Sequence, residues 1–505
     1  MPSLKGCIDH IVVLMLENRS FDCMLGALYP DRADFNGLAG TESNKLDPTD
    51  PNSPSIGVWN SHVVNPATMS IPDPDPGEMY VDINQQLFGL APPVSAAAAD
   101  TPTAATTPGM SGFVANYLLQ KGSPVPQDIM HCFLPTQLPV ISALAKAFAV
   151  CDQWHASAPC QTWPNRFFVH TGTANGYVNN APAHFPYEMP TVFSQLLDAE
   201  MNGGLDPWKV YFHDFPQSLT LAKLWEHVDR FRVFAEFKQD AAAGNLPAYS
   251  FIEPRYFPDL LPPNDAHPPH DVTLAEQLIA EVYNTVRNAP KWGRTLLIVT
   301  FDEHGGCYDH VPPPAAVPPD DPPSTPFAFD RYGVRVPAVL ISPWIAAGTI
   351  LKEVAGVAIP FDHTSIIATL GKRWDFAAPL TARVASAPDL ERVLTLPTAS
   401  NNGPASIVAP PYGGTNDDLQ RALNAPLNDF QSALHEAAAH LPDLSKVATA
   451  EQRVNAVAAK VKGLFDLHAQ VEQGLVPAIQ APVAMSPADA LPFIQQRLRA
   501  ALGRG

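Results

Sequence analysis

The sequence predicts an α/β fold: a mainly parallel sheet covered by helices on both faces, followed by a helical C-terminal appendage. Three observations predict it. Short β-rich apolar runs alternate with helical patterns, which is the order that builds parallel sheets. Several of those runs are apolar throughout, as strands buried on both faces must be. From about Asn416 the chain turns Ala-rich and helical, as in "LQRALNAPLNDFQSALHEAAAHLP" and "VNAVAAKVKGLFDLHAQVEQ". The expected division is a catalytic α/β unit over 1–400 and the appendage over 416–505.

Taken in chain order, "IDHIVVLML" (Ile8 to Leu16) reads as the first buried strand and Leu138 to Val150 as a helix. Helices over Thr191 to Glu200 and Leu219 to Val228 flank a strand at "WKVYF" (Trp208 to Phe212). A strand at Ala248 to Glu253 comes next. The clearest helix follows: Ala275, Leu278, Ile279, Val282 and Val286 fall at helical spacing, Asp271 can cap the start and Pro290 stops the end. Strands at "RTLLIVTF" (Arg294 to Phe301) and Val336 to Ser342, then a helix over Thr364 to Trp374, complete the unit. "APPVSAAAADTPTAATTPG" (Ala91 to Gly109) and "VPPPAAVPPDDPPSTP" (Val311 to Pro326) read as loops.

The 505 residues carry 31 Lys plus Arg against 50 Asp plus Glu, a net charge of −19. That balance excludes a nucleic-acid partner and a polybasic membrane patch. Six cysteines without C-x-x-C spacing argue against zinc-finger and thioredoxin chemistry and read as buried thiols. No run approaches the roughly 18 apolar residues of a membrane span, so membrane contact, if any, is peripheral. The N-terminal residues do not form a leader, so the reading is cytoplasmic, or secreted if a leader lies upstream of this sequence. Oligomeric state is not readable.

Ligands in open α/β sheets bind beyond the carboxyl ends of the strands, and there the polar residues gather. The first strand ends in Glu17-Asn18; "LLIVTFDEHGGCYDH" ends in Asp302-Glu303-His304, with Asp309 and His310 after a Gly-Gly turn. "CQTWPNRFFVHTG" supplies Thr162, Asn165 and Arg166, and "NDAHPPHDV" supplies His267. One carboxylate at a strand end is ordinarily a cap, and one His beside prolines a loop residue. Acidic groups delivered to one rim by two strands repel unless a cation sits among them. Oxygen ligands suit a hard divalent ion such as Mg, Mn or Ca, and leave Zn open. A hydroxyl beside that ion becomes a nucleophile near neutral pH, and phosphoryl transfer suits the layout.

"ENRSFD", "TWPNR", "HPPHDV" and "FDEHGGCYDHVPPP", in this order, resemble the bacterial phosphoesterases that include phospholipase C and a group of acid phosphatases. "RVPAVLISPW" and "FDHTSIIATL" extend the resemblance to about Trp374. It implies an alkaline-phosphatase-like fold and a divalent metal held by Glu17, Asn18, Asp302 and Glu303. It also implies Thr162 as the nucleophile that forms a covalent phospho-enzyme, with Asn165 and Arg166 positioning the phosphate. His267, and less directly His213 in "VYFHDFP", would contact the phosphate of an ester substrate, which in a phospholipase is a phospholipid.

The sequence departs from the family in "DPDPGEMYVDINQQLFG", where Glu78 stands at the usual histidine. That keeps a broad-specificity acid phosphatase acting on phosphomonoesters open beside the phospholipase C reading, and an inactive phosphate- or lipid-headgroup-binding protein as the different class. Three acids with one divalent ion leave about −1 before a phosphate arrives. Two compensations are expected: protonated His267 and His213, favouring activity on the acid side, or a second metal at His304, Asp309 and His310.

Overall fold

The structure is a computed structural model, and it describes residues 2–89, 105–181, 185–199, 201, 204–319, 327–352, 359–445, 452, 454–462, 464 and 485–503. Most of the first proline-rich segment (91–104), the end of the second (320–326) and the tail pattern beyond 464 lie outside the described residues.

The central sheet has eight strands: β1 (His10–Leu16), β2 (Ala149–Cys151), β3 (Trp208–Phe212), β4 (Phe231–Val233), β5 (Tyr249–Glu253), β6 (Thr295–Phe301), β7 (Ala338–Ile341) and β8 (Thr349–Leu351). Their order is β8-β2-β7-β6-β1-β5-β3-β4. Every pairing is parallel except the two made by β7. This is the α/β class the sequence predicts. β1 and β6 are buried along their whole length, which is why both read as unbroken apolar runs.

Their register positions the site. β1 and β6 pair in parallel from His10↔Thr295 to Leu16↔Phe301, so the two strands stop at the same level. Glu17 and Asp302 therefore leave one rim side by side, although 285 positions separate them in the chain.

Helix Val272–Arg287 begins as expected, with the Asp271 carboxylate accepting from the Thr273 N–H at 2.8 Å. It ends at Asn288, two residues before the expected proline. Thr364–Trp374 matches its expected bounds. Leu138 to Val150 is corrected: the helix is Pro139–Ala147 and the last residues turn into β2. Leu219 to Val228 forms 3-10 turns rather than an α-helix.

Of the C-terminal helices, Asp429–His440 and Pro487–Ala501 share the main apolar core through Phe430, Leu434 and Ile494, whereas Asn416–Asn424 buries no residue. Phe430 stands edge-on to Tyr256, with centroids 4.8 Å apart, and the Gln431 amide donates to the Tyr256 carbonyl at 2.7 Å. All six cysteines are free and buried. Among the described residues no helix is long and apolar enough to cross a membrane.

Candidate active site

Helix Thr162–Thr171 aims its first turn at the β1/β6 rim. Thr162 and Arg166 are one turn apart, so both side chains share a face. The Thr162 hydroxyl lies 3.2 Å from Glu17 Oε2 and 3.3 Å from Asn18 Oδ1. Arg166 Nε donates to Glu17 Oε1 at 2.8 Å, and its Nη2 reaches the Met15 carbonyl at 3.1 Å. The same guanidinium lies 3.6 Å from Asp302 and 3.8 Å from Glu253. Each of these residues is fully buried.

The backbone completes the cage. Asn18 adopts φ 54°, a left-handed conformation that Asn tolerates, and its N–H donates to Asp302 Oδ1 at 3.0 Å. Gly305 is needed where it stands: its φ is +56°, and a Cβ would lie 2.2 Å from the Asn18 carbonyl oxygen. That close passage lets the Gly305 N–H hold Glu303 Oε2 at 2.8 Å. His363 Nε2 donates to the Asp302 carbonyl at 2.5 Å, while its Nδ1 accepts from Trp154. His363 lies inside "FDHTSIIATL", yet spacing alone gives it no role.

Burial drives the carboxyl groups of Glu17 and Glu303 well above their ordinary range, and Asp302 adds to both shifts. Asp75 and Glu78 are raised for the same first reason, burial, with each other or Glu303 adding. Asp302 Oδ2 and Glu303 Oε1 are buried without a hydrogen-bond partner. Crowded acids, orphaned oxygens and an all-oxygen donor set fit a hard divalent cation. Glu17, Asn18, Asp302 and Glu303 are the residues that would hold it.

The other sequence-derived residues are placed differently. His267 is fully buried, its Nε2 3.7 Å from Glu78 and its Nδ1 3.7 Å from Asp75. His213 lies off the cage, bonded to the Glu253 carbonyl at 3.0 Å and stacked on Phe234. Asn165 turns back to the loop before the helix, its amide bonded to backbone at Ala158, Cys160 and Gln161. His304 faces Gln86 at 2.9 Å and Glu303 at 3.3 Å, so it does not join Asp309 and His310. Those two meet Asp22, with ligand atoms all within 4.8 Å of one another. Arg335 already serves that group, bonding Asp22 at 2.9 Å and Asp309 at 3.0 Å.

The expected positive histidines are corrected. Burial pushes both His267 and His213 down to about 4. Their folded values lie below the ordinary histidine value, so each is neutral through the neutral range and gains its proton only in acid. The buried cation of the cage is instead Arg166: burial opposes its charge, but Glu17, Tyr256, Asp302 and Glu253 outweigh burial and hold the guanidinium charged. Accordingly, kcat/KM should show no histidine inflection between about pH 5 and 8. A profile titrating near 6.5 would restore the protonated-histidine reading.

Comparison with known proteins places the chain among its relatives. Residues 8–377 match the Phosphoesterase family. Non-specific phospholipase C1 of Arabidopsis thaliana is 39% identical over 404 residues, covering 77% of this chain and 71% of that protein. Phospholipase C A of Mycobacterium tuberculosis is 26% identical over 429 residues, covering 74% of each. Among solved structures, a Vibrio parahaemolyticus protein in the alkaline phosphatase superfamily aligns over 50% of this chain and 63% of that one, at 13% identity and a TM-score of 0.27. The matched segment runs from the first buried strand to just past the helix that follows His363, and so takes in every side chain of the cage: the chain belongs to the Phosphoesterase family.

Proposed function

We infer that this enzyme is a metal-dependent phospholipase C, cleaving a phospholipid on the glycerol side of its phosphate with Thr162 as nucleophile. The observation that carries the reading is the Thr162 hydroxyl, fully buried at a helix start and within 3.3 Å of both Glu17 and Asn18. A divalent ion at Glu17, Asn18, Asp302 and Glu303 would lower the hydroxyl pKa and neutralise charge on the phosphoryl oxygens. The chain's own residues do the rest. Glu17 Oε2 is the acceptor that can keep the Thr162 proton, and Arg166 holds the other Glu17 oxygen still. The Thr162 Oγ–phosphorus bond forms as the bond to the glyceryl oxygen breaks, and that oxygen takes a proton from solvent. Water then cleaves the phosphothreonine diester, releasing the phosphorylated headgroup and restoring the hydroxyl. Neutral His267 supplies a hydrogen bond to the phosphate, and Asn165 acts through the loop it closes.

A lipid substrate is favoured by the loop leading to His267. Leu260 is 84% exposed and Leu261 41% exposed. They are presented rigidly, because Arg255 grips the Pro262 carbonyl at 2.7 Å and Asn264 bonds the Arg255 backbone at 2.6 and 3.1 Å. Exposed leucines on a fixed loop that runs into the His267 segment suit insertion among lipid headgroups. The net charge of −19 favours a zwitterionic surface over an anionic one.

The test compares phosphatidylcholine vesicles with soluble p-nitrophenylphosphorylcholine and p-nitrophenyl phosphate. Turnover of both diesters is expected. Turnover of the monoester alone would replace this reading with the acid phosphatase. Changing Leu260 and Leu261 together to Asp is expected to lower vesicle hydrolysis by about tenfold, with the soluble diester unaffected. An equal loss on both substrates would remove the lipid-contact role.

A further inference from the structure

Glu78 stands where the family resemblance expects a histidine, and its surroundings give it a different task. It is 6% exposed. Its Oε2 accepts from Asn18 Nδ2, and its Oε1 accepts from Gln161 Nε2 at 3.3 Å. The Gln161 amide is locked in that sense, because its Oε1 accepts the Asn180 N–H at 3.1 Å. Glu78 therefore ties the end of β1 to the residue just before Thr162.

The loop that carries Glu78 is itself fixed. Gln86 Nε2 donates to the Gly77 carbonyl at 2.6 Å. A Cβ on Gly77 would lie 2.5 Å from Gln120 and 2.7 Å from Asn116, and one on Gly306 would lie 2.7 Å from the Gly77 oxygen. A side chain on so closely packed a loop can hold a neighbour's orientation.

We propose that Glu78 is a positioning residue of the active site: its two oxygens take the amides of Asn18 and Gln161 and thereby keep Asn18 Oδ1 on the Thr162 hydroxyl. With the Asn18 NH2 held by Glu78, the carbonyl oxygen must face the other way, toward Thr162 at 3.3 Å. A reversed amide would set oxygen against oxygen at Glu78 and turn the Asn18 NH2, in place of its oxygen, toward Thr162. Only a carboxyl meets both amides as an acceptor. A Gln there accepts one and confronts the other with its own NH2, and an imidazole has at most one acceptor nitrogen. The assignment rests on the phosphoesterase reading above, with Asn18 a ligand and Thr162 the nucleophile.

The experiment is a double-mutant cycle on the full chain, with kcat for p-nitrophenylphosphorylcholine and Mn2+ affinity by calorimetry as separate readouts. Glu78→Gln is expected to weaken Mn2+ binding and lower kcat, each by about 10- to 100-fold, the usual range for residues that orient a metal ligand. In an Asn18→Ala background the same change should cost less than about twofold, since the residue it acts through is gone. Independent, multiplying losses would overturn the proposal, as would unchanged Mn2+ affinity in Glu78→Gln. Glu78→His is the second variant and is expected to lose in the same direction. A loss of cooperative thermal unfolding in both variants would place Glu78 in the fold instead and overturn it equally. Failure of the underlying reading has its own signature: Thr162→Ala would keep its turnover.

Discussion

Replacing Thr162 by Ala should stop turnover, with kcat falling at least about 10³-fold, while the chain stays folded and keeps its divalent-ion affinity within a few-fold. The separation follows from the contacts. The hydroxyl is the one group of Thr162 that the reaction needs, and Ala is a good helix residue. Glu17 Oε2 and Asn18 Oδ1 lose the hydroxyl, but each residue stays anchored through its other atom, Glu17 Oε1 by Arg166 and the Asn18 NH2 by Glu78. The stability cost should therefore be that of a buried hydrogen bond removed with its acceptors left in place, about 1–3 kcal/mol in the ion-free protein. Thr162→Ser restores the oxygen and should recover turnover. Rapid quenching of the wild type followed by mass spectrometry should find the phosphoryl adduct on the peptide bearing Thr162. A protein that merely binds phosphate or a headgroup would keep its affinity in every variant and yield no adduct. Thr162→Ala retaining a tenth of wild-type activity would end the nucleophile assignment.

Much of this was legible because it is local. A strand buried on both faces declares itself by an apolar run, and β1 and β6 were readable on that basis, while β3 with Lys209 and β5 with Ser250 and Glu253 were readable from their short β-rich composition. Three-residue strands are not: Ala149–Cys151 continues an apolar helix without a break, so composition cannot separate the two. Strand direction is also silent in the sequence, which hides the antiparallel β7. At the site, the one-turn spacing of Thr162 and Arg166 was visible, but the target of Arg166 was not. An arginine beside a nucleophile suggests phosphate contact, whereas here three buried acids claim it first. Arg335 is similar: its partners Asp22 and Asp309 could be recognised as charged but not as its own, since only the folded chain brings them together. The histidines mislead for a related reason. Their charge depends on burial, which a one-dimensional pattern does not reveal.

Arg166→Met should produce the largest loss of stability of any single change in the cage. The side chain is fully buried and faces Glu17, Asp302 and Glu253, with the Tyr256 ring 5.6 Å from its guanidinium carbon. Met replaces the apolar stem, so the effect isolates the charge and its donors. Removing one partner of a buried ion pair costs about 3–5 kcal/mol, because the remaining carboxylates lose their counter-charge in a place water cannot reach. Glu253 is the least affected, since Gln217, Ser218 and Tyr256 also donate to it. Glu17 and Asp302 carry most of the cost, and the cage should answer by taking up protons. Denaturant unfolding of the ion-free protein is expected to show the full loss at neutral pH. Adding Mn2+ should recover part of it, because a cation among the same oxygens restores the missing charge and binds the folded state alone. Arg166→Lys keeps the charge but not the fork that spans Glu17 and the Met15 carbonyl, so it should regain only part of the stability. An ion-free Arg166→Met protein within about 0.5 kcal/mol of wild type would mean that these acids already share protons among themselves. The orphaned oxygens of Asp302 and Glu303 would then need no cation, and the metal assignment would fail at its electrostatic root.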